Sequence, residues 1–194
     1  MLIYILANLI HFLEQKYSIA LGFRNFGSRP QGFLKFYLEL DSQVAYATDT
    51  RFGRASTLVD TLETLCGRSV IHTVEGAEPL GPSRPLEVLI IAPCTGNTLA
   101  KMAMGITDGA VTMAAKAHLR CDRPLLLALA SNDAMSANLG NLGRMLGRRS
   151  VYVLPLLQDD PLGKPHSLVA DFERIPEALA AAREGKQLRP LFLS

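Results

Sequence analysis

Short apolar runs of strand length alternate along the chain with longer amphipathic stretches, and turn residues separate them. Glu87 to Ala92 (EVLIIA), Pro124 to Ala130 (PLLLALA) and Val151 to Leu154 (VYVL) are nearly continuous in apolar residues, the pattern of strands covered on both faces. Gln43 to Ala47 is a weaker strand candidate, and Ser69 to Val74 is another. Ala55 to Cys66 places Leu58, Leu62 and Leu65 at helical spacing, with Gly67 where a left-handed cap would close the helix. Further helices are predicted from Thr95 or Gly96, from Gly109 to Arg120 with Asp108 as cap, and from about Ala134 to Leu146. A last one runs from Pro176 to Glu184, where Pro sits at a tolerated first-turn position and Gly185 follows the end. Val74 to Pro85 (VEGAEPLGPSRP) reads as a long loop. Strands alternating with helices predict an α/β fold around a parallel sheet.

Composition narrows the class without naming a chemistry. With 48% hydrophobic and 20% charged residues, the 194-residue chain is too apolar for disorder. Its 20 Lys+Arg against 18 Asp+Glu leave a net charge of +2, too little for nucleic-acid binding through a general basic footprint. Neither repeats nor a linker interrupt it, so residues 1–194 are expected to form a single domain. Cys66, Cys94 and Cys121 are odd in number and widely spaced, which suggests neither a disulfide framework nor a metal site and fits a reducing cytoplasm. Met1 to Leu13 is apolar, but it is shorter than the about 20 residues a membrane span needs and is interrupted by Asn8 and His11. It also lacks a basic flank and a cleavage site, so it reads as a buried helix or strand.

In an open parallel sheet, ligands bind beyond the carboxyl ends of the strands. Four polar segments occupy such positions. Pro93-Cys94-Thr95-Gly96-Asn97-Thr98 opens directly into a helix, whose free backbone N–H groups suit a phosphate or carboxylate; Thr95 is equally a simple cap. Ser131-Asn132-Asp133 follows the next strand: Asn132 offers donor and acceptor to a planar ligand, and Asp133 either takes a proton or caps a helix. Gln158-Asp159-Asp160-Pro161 and Gly163-Lys164-Pro165-His166-Ser167 mix carboxylates with Lys and His. Thr48-Asp49-Thr50-Arg51 carries an Arg able to hold a carboxylate bidentately. Together they imply a small-molecule site for a phosphorylated cofactor or a diacid. Cys94 at a helix start invites a nucleophile reading, but His72, His118 and His166 lie in different elements and none is marked as its base. No GxGxxG or GxxxxGK[ST] is present.

In order, the segments TDTRFG (48 to 53), AEPLGP (77 to 82), IAPCTGNTLAKMA (91 to 103), TDGAVTMAAKAHLR (107 to 120), RPLLLALASNDAMSANLGNL (123 to 142), VYVLPLLQDDPLGKPHSLVA (151 to 170) and EGKQLRP (184 to 190) resemble the family of dipicolinate synthase B subunits. That family is similar to the wider flavoprotein fold of the flavin-dependent cysteine decarboxylases. The resemblance implies a three-layer, Rossmann-like or flavodoxin-like α/β fold with helices on both faces of a parallel sheet. In the decarboxylases a Pro-Ala-Ser-Ala-Asn-Thr loop lies against FMN; the stretch here departs from it at Cys94, Thr95 and Gly96.

By the resemblance, Pro93, Cys94, Thr95, Gly96, Asn97, Thr98, Ser131, Asn132 and Thr48 line a pocket for FMN. Arg51, Asn132 and Lys164 meet a diacid substrate, and Asn132, Asp133 and Cys94 are candidates for the catalytic residue. The implied reaction is oxidation of a dihydro- or hydroxytetrahydro-dipicolinate to pyridine-2,6-dicarboxylate in the mother cell of a sporulating bacterium. A separate A subunit carries NADP, which accounts for the missing GxGxxG. A homo-oligomer and a cytoplasmic location are implied too. The alternatives are a stand-alone FMN-binding decarboxylase-like flavoprotein and a non-catalytic partner that stabilises the A subunit.

The departure is at the start. The family begins with a strand, a Gly-Ser phosphate loop and a long helix. Ser18 to Phe23 resembles that strand and Gly27-Ser28 is the nearest loop, but only about 20 residues separate it from Thr48. That is too few for a helix and a second strand with their turns. Residues 1–40 are therefore expected to be divergent or truncated, with the phosphate site damaged or rebuilt.

Overall fold

Two strands anchor the molecule. Val88–Thr95 and Leu125–Ser131 pair in parallel, and in chain order they are the third and fourth strands, β3 and β4. The computed structural model describes residues 19–23, 38–40, 59–60, 63–64, 69–84 and 86–193. Every β3 residue from Val88 to Cys94 is buried, as is every β4 residue from Leu125 to Leu129. Consecutive buried positions require cover on both faces of the sheet, as the continuous apolar runs predict. Pairing runs Leu89 to Leu125, Ile90 to Leu126 and Ile91 to Leu127, then resumes with Cys94 opposite Leu129 and Thr95 opposite Ala130. The shift falls at Ala92 and Pro93. Proline has no N–H for the ladder, and a bulge is where a central strand can accept one. β3 therefore runs on through Pro93 and Cys94, past the end its apolar run suggests.

Around this pair the sheet is mixed, which modifies the all-parallel expectation. β5 (Val151–Val153) continues the parallel part alongside Leu125 to Leu127. β7 (Leu168–Ala170) lies against the upper part of the same edge of β4, Ala130 and Ser131, and runs antiparallel; β6 (Leu156–Leu157) pairs antiparallel with β7. The connection 158–167 contains no helix, so it makes a hairpin and cannot make the crossover that parallel strands need. On the far side β1 (Ile19–Phe23) runs antiparallel to β3, with Ala20 opposite Ile91 and Phe23 opposite Val88, and β2 (Leu38–Leu40) pairs antiparallel with β1. The chain thus leaves β1 at the end of β3 remote from Thr95.

The helices follow the predicted periodicity, and the segments around them bring four corrections. α1 (Val74–Ala77) and a 3₁₀ turn (Glu78–Leu80) occupy the segment predicted as a loop, because the Thr73 hydroxyl accepts from the Gly76 amide at 3.0 Å and starts a turn there. Ile71 makes only an isolated bridge, so the strand candidate from Ser69 to Val74 does not form. α2 (Gly96–Met104) is capped by Thr95 and closed by left-handed Gly105. α3 (Ala110–Leu119) is capped by Gly109, whose amide donates to the Thr112 hydroxyl at 3.2 Å; Asp108, the predicted cap, instead pairs with Lys101 at 3.0 Å. α4 (Leu139–Leu146) starts five residues later than predicted, after turns organised by Asp133. α5 (Ile175–Arg183) has Pro176 in its first turn and is followed by left-handed Gly185. α1 packs on α3, α2 on α4, and α5 on β3 and β4.

Val59, Asp60, Glu63 and Thr64 are helical, within the predicted Ala55 to Cys66 helix. The Met1 to Leu13 segment, the Gln43 to Ala47 strand, the Gly27-Ser28 loop and Thr48 to Arg51 lie outside the described residues. Among the described residues no helix is long and apolar enough to cross a membrane.

Candidate functional site

β3 and β4 are parallel neighbours, so their carboxyl ends, and the loops that follow, emerge side by side. Thr95 holds the start of α2: its hydroxyl accepts from the Thr98 amide at 3.3 Å and lies 3.1 Å from the buried Thr98 hydroxyl. The amides of Gly96 and Asn97 belong to the first turn, where a helix has no carbonyl of its own to offer them. Asn97 is exposed beside them. Cys94, by contrast, is fully enclosed by the core, with its thiol 3.8 Å from the Thr95 carbonyl. Thr95 holds the capping position, and Cys94 sits behind it. That burial argues against an exposed thiolate nucleophile at the helix start.

The loop after β4 is organised by Asp133. Its carboxylate accepts from the Ser131 hydroxyl and from the Asn138 amide, which lies 3.0 Å from each carboxylate oxygen. The Asp133 carbonyl receives the amides of Ser136 and Asn138, both at 3.1 Å. Asn138 is itself buried, and its own carbonyl accepts from Asn141 at 2.9 Å. The hydrogen bond from Ser131, then that from Asn138, holds the Asp133 carboxyl below the usual carboxylate range. Asp133 is therefore a charged anchor for the loop, and neither a helix cap nor a ready proton acceptor. Asn132, between the two anchored residues, is exposed.

Gly96 joins the two loops. A Cβ placed there would lie 2.5 Å from the Ser131 hydroxyl, 2.6 Å from the Asn138 amide nitrogen and 3.0 Å from Asp133 Oδ1. Only glycine permits that approach. The third loop is tied in by the Met135 amide, which donates to the His166 carbonyl at 3.0 Å. Within it, Lys164 pairs with Asp159 at 3.0 Å, Asp160 accepts from the Gly163 amide at 2.8 Å, and Gln158 donates to the Pro165 carbonyl at 3.0 Å. The Lys164 contact is the larger cause, and the Ser167 hydroxyl the next, of an Asp159 carboxyl held below its usual range. Lys164 and His166 are both exposed.

Three of the four predicted segments thus meet at one edge of the sheet. Asn138 had no signal in the sequence, since a single Asn in a run of small residues is indistinguishable from turn filler. His118 is fully buried on α3; its Nε2–H donates to the Pro124 carbonyl at 2.8 Å, while Nδ1 has no hydrogen-bond partner. Burial is the main cause of a pKa lowered to about 4, so the ring is neutral and structural. Among the described residues no group of His, Cys, Asp and Glu could hold a metal ion.

The sequence pattern of the Flavoprotein family matches residues 10–165. The chain is also 41% identical over 147 residues to the B subunit of dipicolinate synthase from Bacillus subtilis (strain 168), covering 76% of this chain and 74% of that one. The chain belongs to the Flavoprotein family, in its branch of dipicolinate synthase B subunits.

The crystal structure of the dipicolinate synthase B subunit from Bacillus halodurans C superposes with a TM-score of 0.70 at 38% identity, over 76% of each chain. An FMN-dependent cysteine decarboxylase, SpaF, aligns at a TM-score of 0.49 and 26% identity, over 66% of this chain and 74% of that one. For a flavoprotein, the donor set at this edge is suitable. The first-turn amides of α2 suit a phosphate, and the exposed neutral amides of Asn97 and Asn132 suit the polar edge of a planar ring.

Proposed function

We propose that the chain is the B subunit of a dipicolinate synthase and takes part in oxidising a dihydro- or hydroxytetrahydro-dipicolinate to pyridine-2,6-dicarboxylate, together with a nicotinamide-binding A subunit. The observation that carries this reading is the meeting of three loops, 93–98, 131–138 and 158–167, through Gly96 and the Met135 to His166 hydrogen bond. All three fall in the segments that resemble the B-subunit family.

From a dihydro substrate the ring loses a hydride to the oxidised nicotinamide and a proton to solvent; a hydroxytetrahydro substrate loses water as well. Asp133, held charged by Ser131 and Asn138, positions Asn132 and leaves the proton to another group. Asn132 orients the ring by donating and accepting at its edge. Arg51 clamps one carboxylate of the diacid and Lys164 approaches the other, with Asp159 offsetting part of its charge until the diacid binds. Thr48 and the loop from Pro93 to Thr98 would hold FMN, the first-turn amides of α2 suiting a phosphate. Bound flavin would supply a redox-active ring at this edge.

Purified A, purified B and their mixture, assayed for dipicolinate formation, test the proposal. The mixture is expected to be active and B alone inactive. Full activity from A alone would overturn a catalytic role for this chain. Flavin absorbance in the purified B subunit, or its gain on titration with FMN, tests the cofactor assignment separately.

A further inference from the structure

Beyond the carboxyl end of α2, away from the strand-end site, lies a groove of about 300 Å³ between α2 and α3. Met102, Ile106 and Leu119 give it an apolar lining, and Lys116, Arg120 and Arg148 stand around it. Its volume is at the lower limit of small-molecule pockets, about 300–1,000 Å³, so it is sized for one or two side chains and not for a cofactor. Two large apolar residues beside it, Met104 and Ile106, are 61% and 47% exposed.

The charges around the groove are all of one sign. Elsewhere among the described residues Lys101, Arg149, Lys164, Arg174, Arg183 and Lys186 each have an acidic partner within 4 Å, while Arg84, Arg123 and Arg189 stand apart from one another along the chain without one. Among those same residues Lys116, Arg120 and Arg148 have none, and Arg144, also without one, contacts the Met104 sulfur at 2.8 Å. No carboxylate lines the groove. Asp108, the acid next to Thr107 on its margin, is taken by Lys101. An apolar slot ringed by uncompensated cations is complementary to an apolar side chain flanked by carboxylates.

We infer that this groove docks an acidic, apolar-tipped segment of the partner subunit, which inserts one apolar side chain between Met102, Ile106 and Leu119 while its carboxylates meet Lys116, Arg120 and Arg148. The inference rests on the reading that the chain works with an A subunit. The nine-residue α2 separates the groove from Thr95 by about 13 Å, so a partner seated there leaves the substrate edge open while standing next to it.

The test is binding of the purified A subunit to this chain, wild type against Lys116→Glu/Arg120→Glu and against Ile106→Asp, at low and high salt. Each substitution is at an exposed position, so an unchanged melting temperature and unchanged FMN titration establish that the fold and the strand-end site are intact. Wild-type B is expected to bind A with an affinity that falls as salt rises. Both variants are expected to weaken binding by at least tenfold, the charge reversal losing the salt dependence as well. Tight binding by both variants overturns the groove and leaves the reading of a two-subunit enzyme standing; no binding by wild type overturns the two together. Loss of B self-association, with A binding unchanged, assigns the groove to a second copy of this chain and overturns the partner proposal.

Discussion

Gly96 and Ser131 approach so closely that a Cβ on the glycine would lie 2.5 Å from the serine hydroxyl. One residue opens a helix after β3 and the other ends β4, so this contact fixes the spacing of the two loops. Gly96→Ala must push the Ser131–Asp133–Asn138 network aside. It is expected to destabilise the protein by about 1–3 kcal/mol, as overpacking does, and to weaken FMN binding. Thermal melts and a flavin titration check this; a variant that melts and binds like wild type would show that the loops are not held at this distance.

Asp133→Asn preserves size but reverses one hydrogen bond. Asn138 presents its Nδ2 to both carboxylate oxygens, so a new amide NH₂ at residue 133 places donor against donor. A cost of about 1–3 kcal/mol is expected, the penalty for a buried group left without its partner. Because the Asp133 carboxyl is held below its ordinary value, its contribution to stability is complete above the unfolded value near 3.8 and is lost as pH falls through the lower folded value. The Asn variant is expected to lack that acid-side loss. Urea unfolding from pH 5 downward reads it, and parallel curves for the two proteins would contradict the assignment.

His118 acts on stability in a different pH window. The folded protein holds the ring neutral, with a pKa lowered to about 4, whereas the unfolded chain protonates it near 6.5. Stability is therefore full above pH 6.5 and falls as pH drops from 6.5 to 4, by about 3 kcal/mol in all at 1.36 kcal/mol per pH unit. His118→Gln is expected to flatten that part of the profile. Equal slopes in wild type and variant between pH 7 and 4.5 would show that the ring takes up its proton as readily in the fold as in the unfolded chain.

Arg51→Lys keeps the positive charge and loses the planar fork. KM for the diacid is expected to rise about tenfold, with kcat little changed, because a bidentate carboxylate contact is replaced by a point charge. Steady-state kinetics of the A–B mixture decide it: an unaltered KM removes Arg51 from the substrate site.

What could be read from the chain depended on whether the signal was local. The strands through Leu89, Leu127 and Tyr152 were legible because unbroken apolar runs leave few alternatives. The end of β3 was not, since Pro93 ordinarily stops a strand and only the register shift against β4 lets it continue. β6 and β7 have two and three residues, too short for a periodic pattern, and their direction depends on pairing with distant Ser131 and Ala130. The strand-end principle found Thr95, Ser131 and Asp133 because sheet topology places such residues together. It could not separate Cys94 from Thr95, since facing the core or the cap is decided by the bulge between them and Ile91. Nor could it find Asn138, whose role exists only once Asp133 has turned back to meet it.

The 158–167 segment hangs from a hairpin that touches β4 only at Ala130 and Ser131, while the register of β3, β4 and β5 is set below it. The segment's backbone hydrogen bond to the loop after β4, from the Met135 amide to the His166 carbonyl, lies outside the parallel ladder, so changes in the segment are expected to leave the rungs of that ladder in place. Chimaeras that swap this hairpin between family members are therefore expected to fold with the core unchanged.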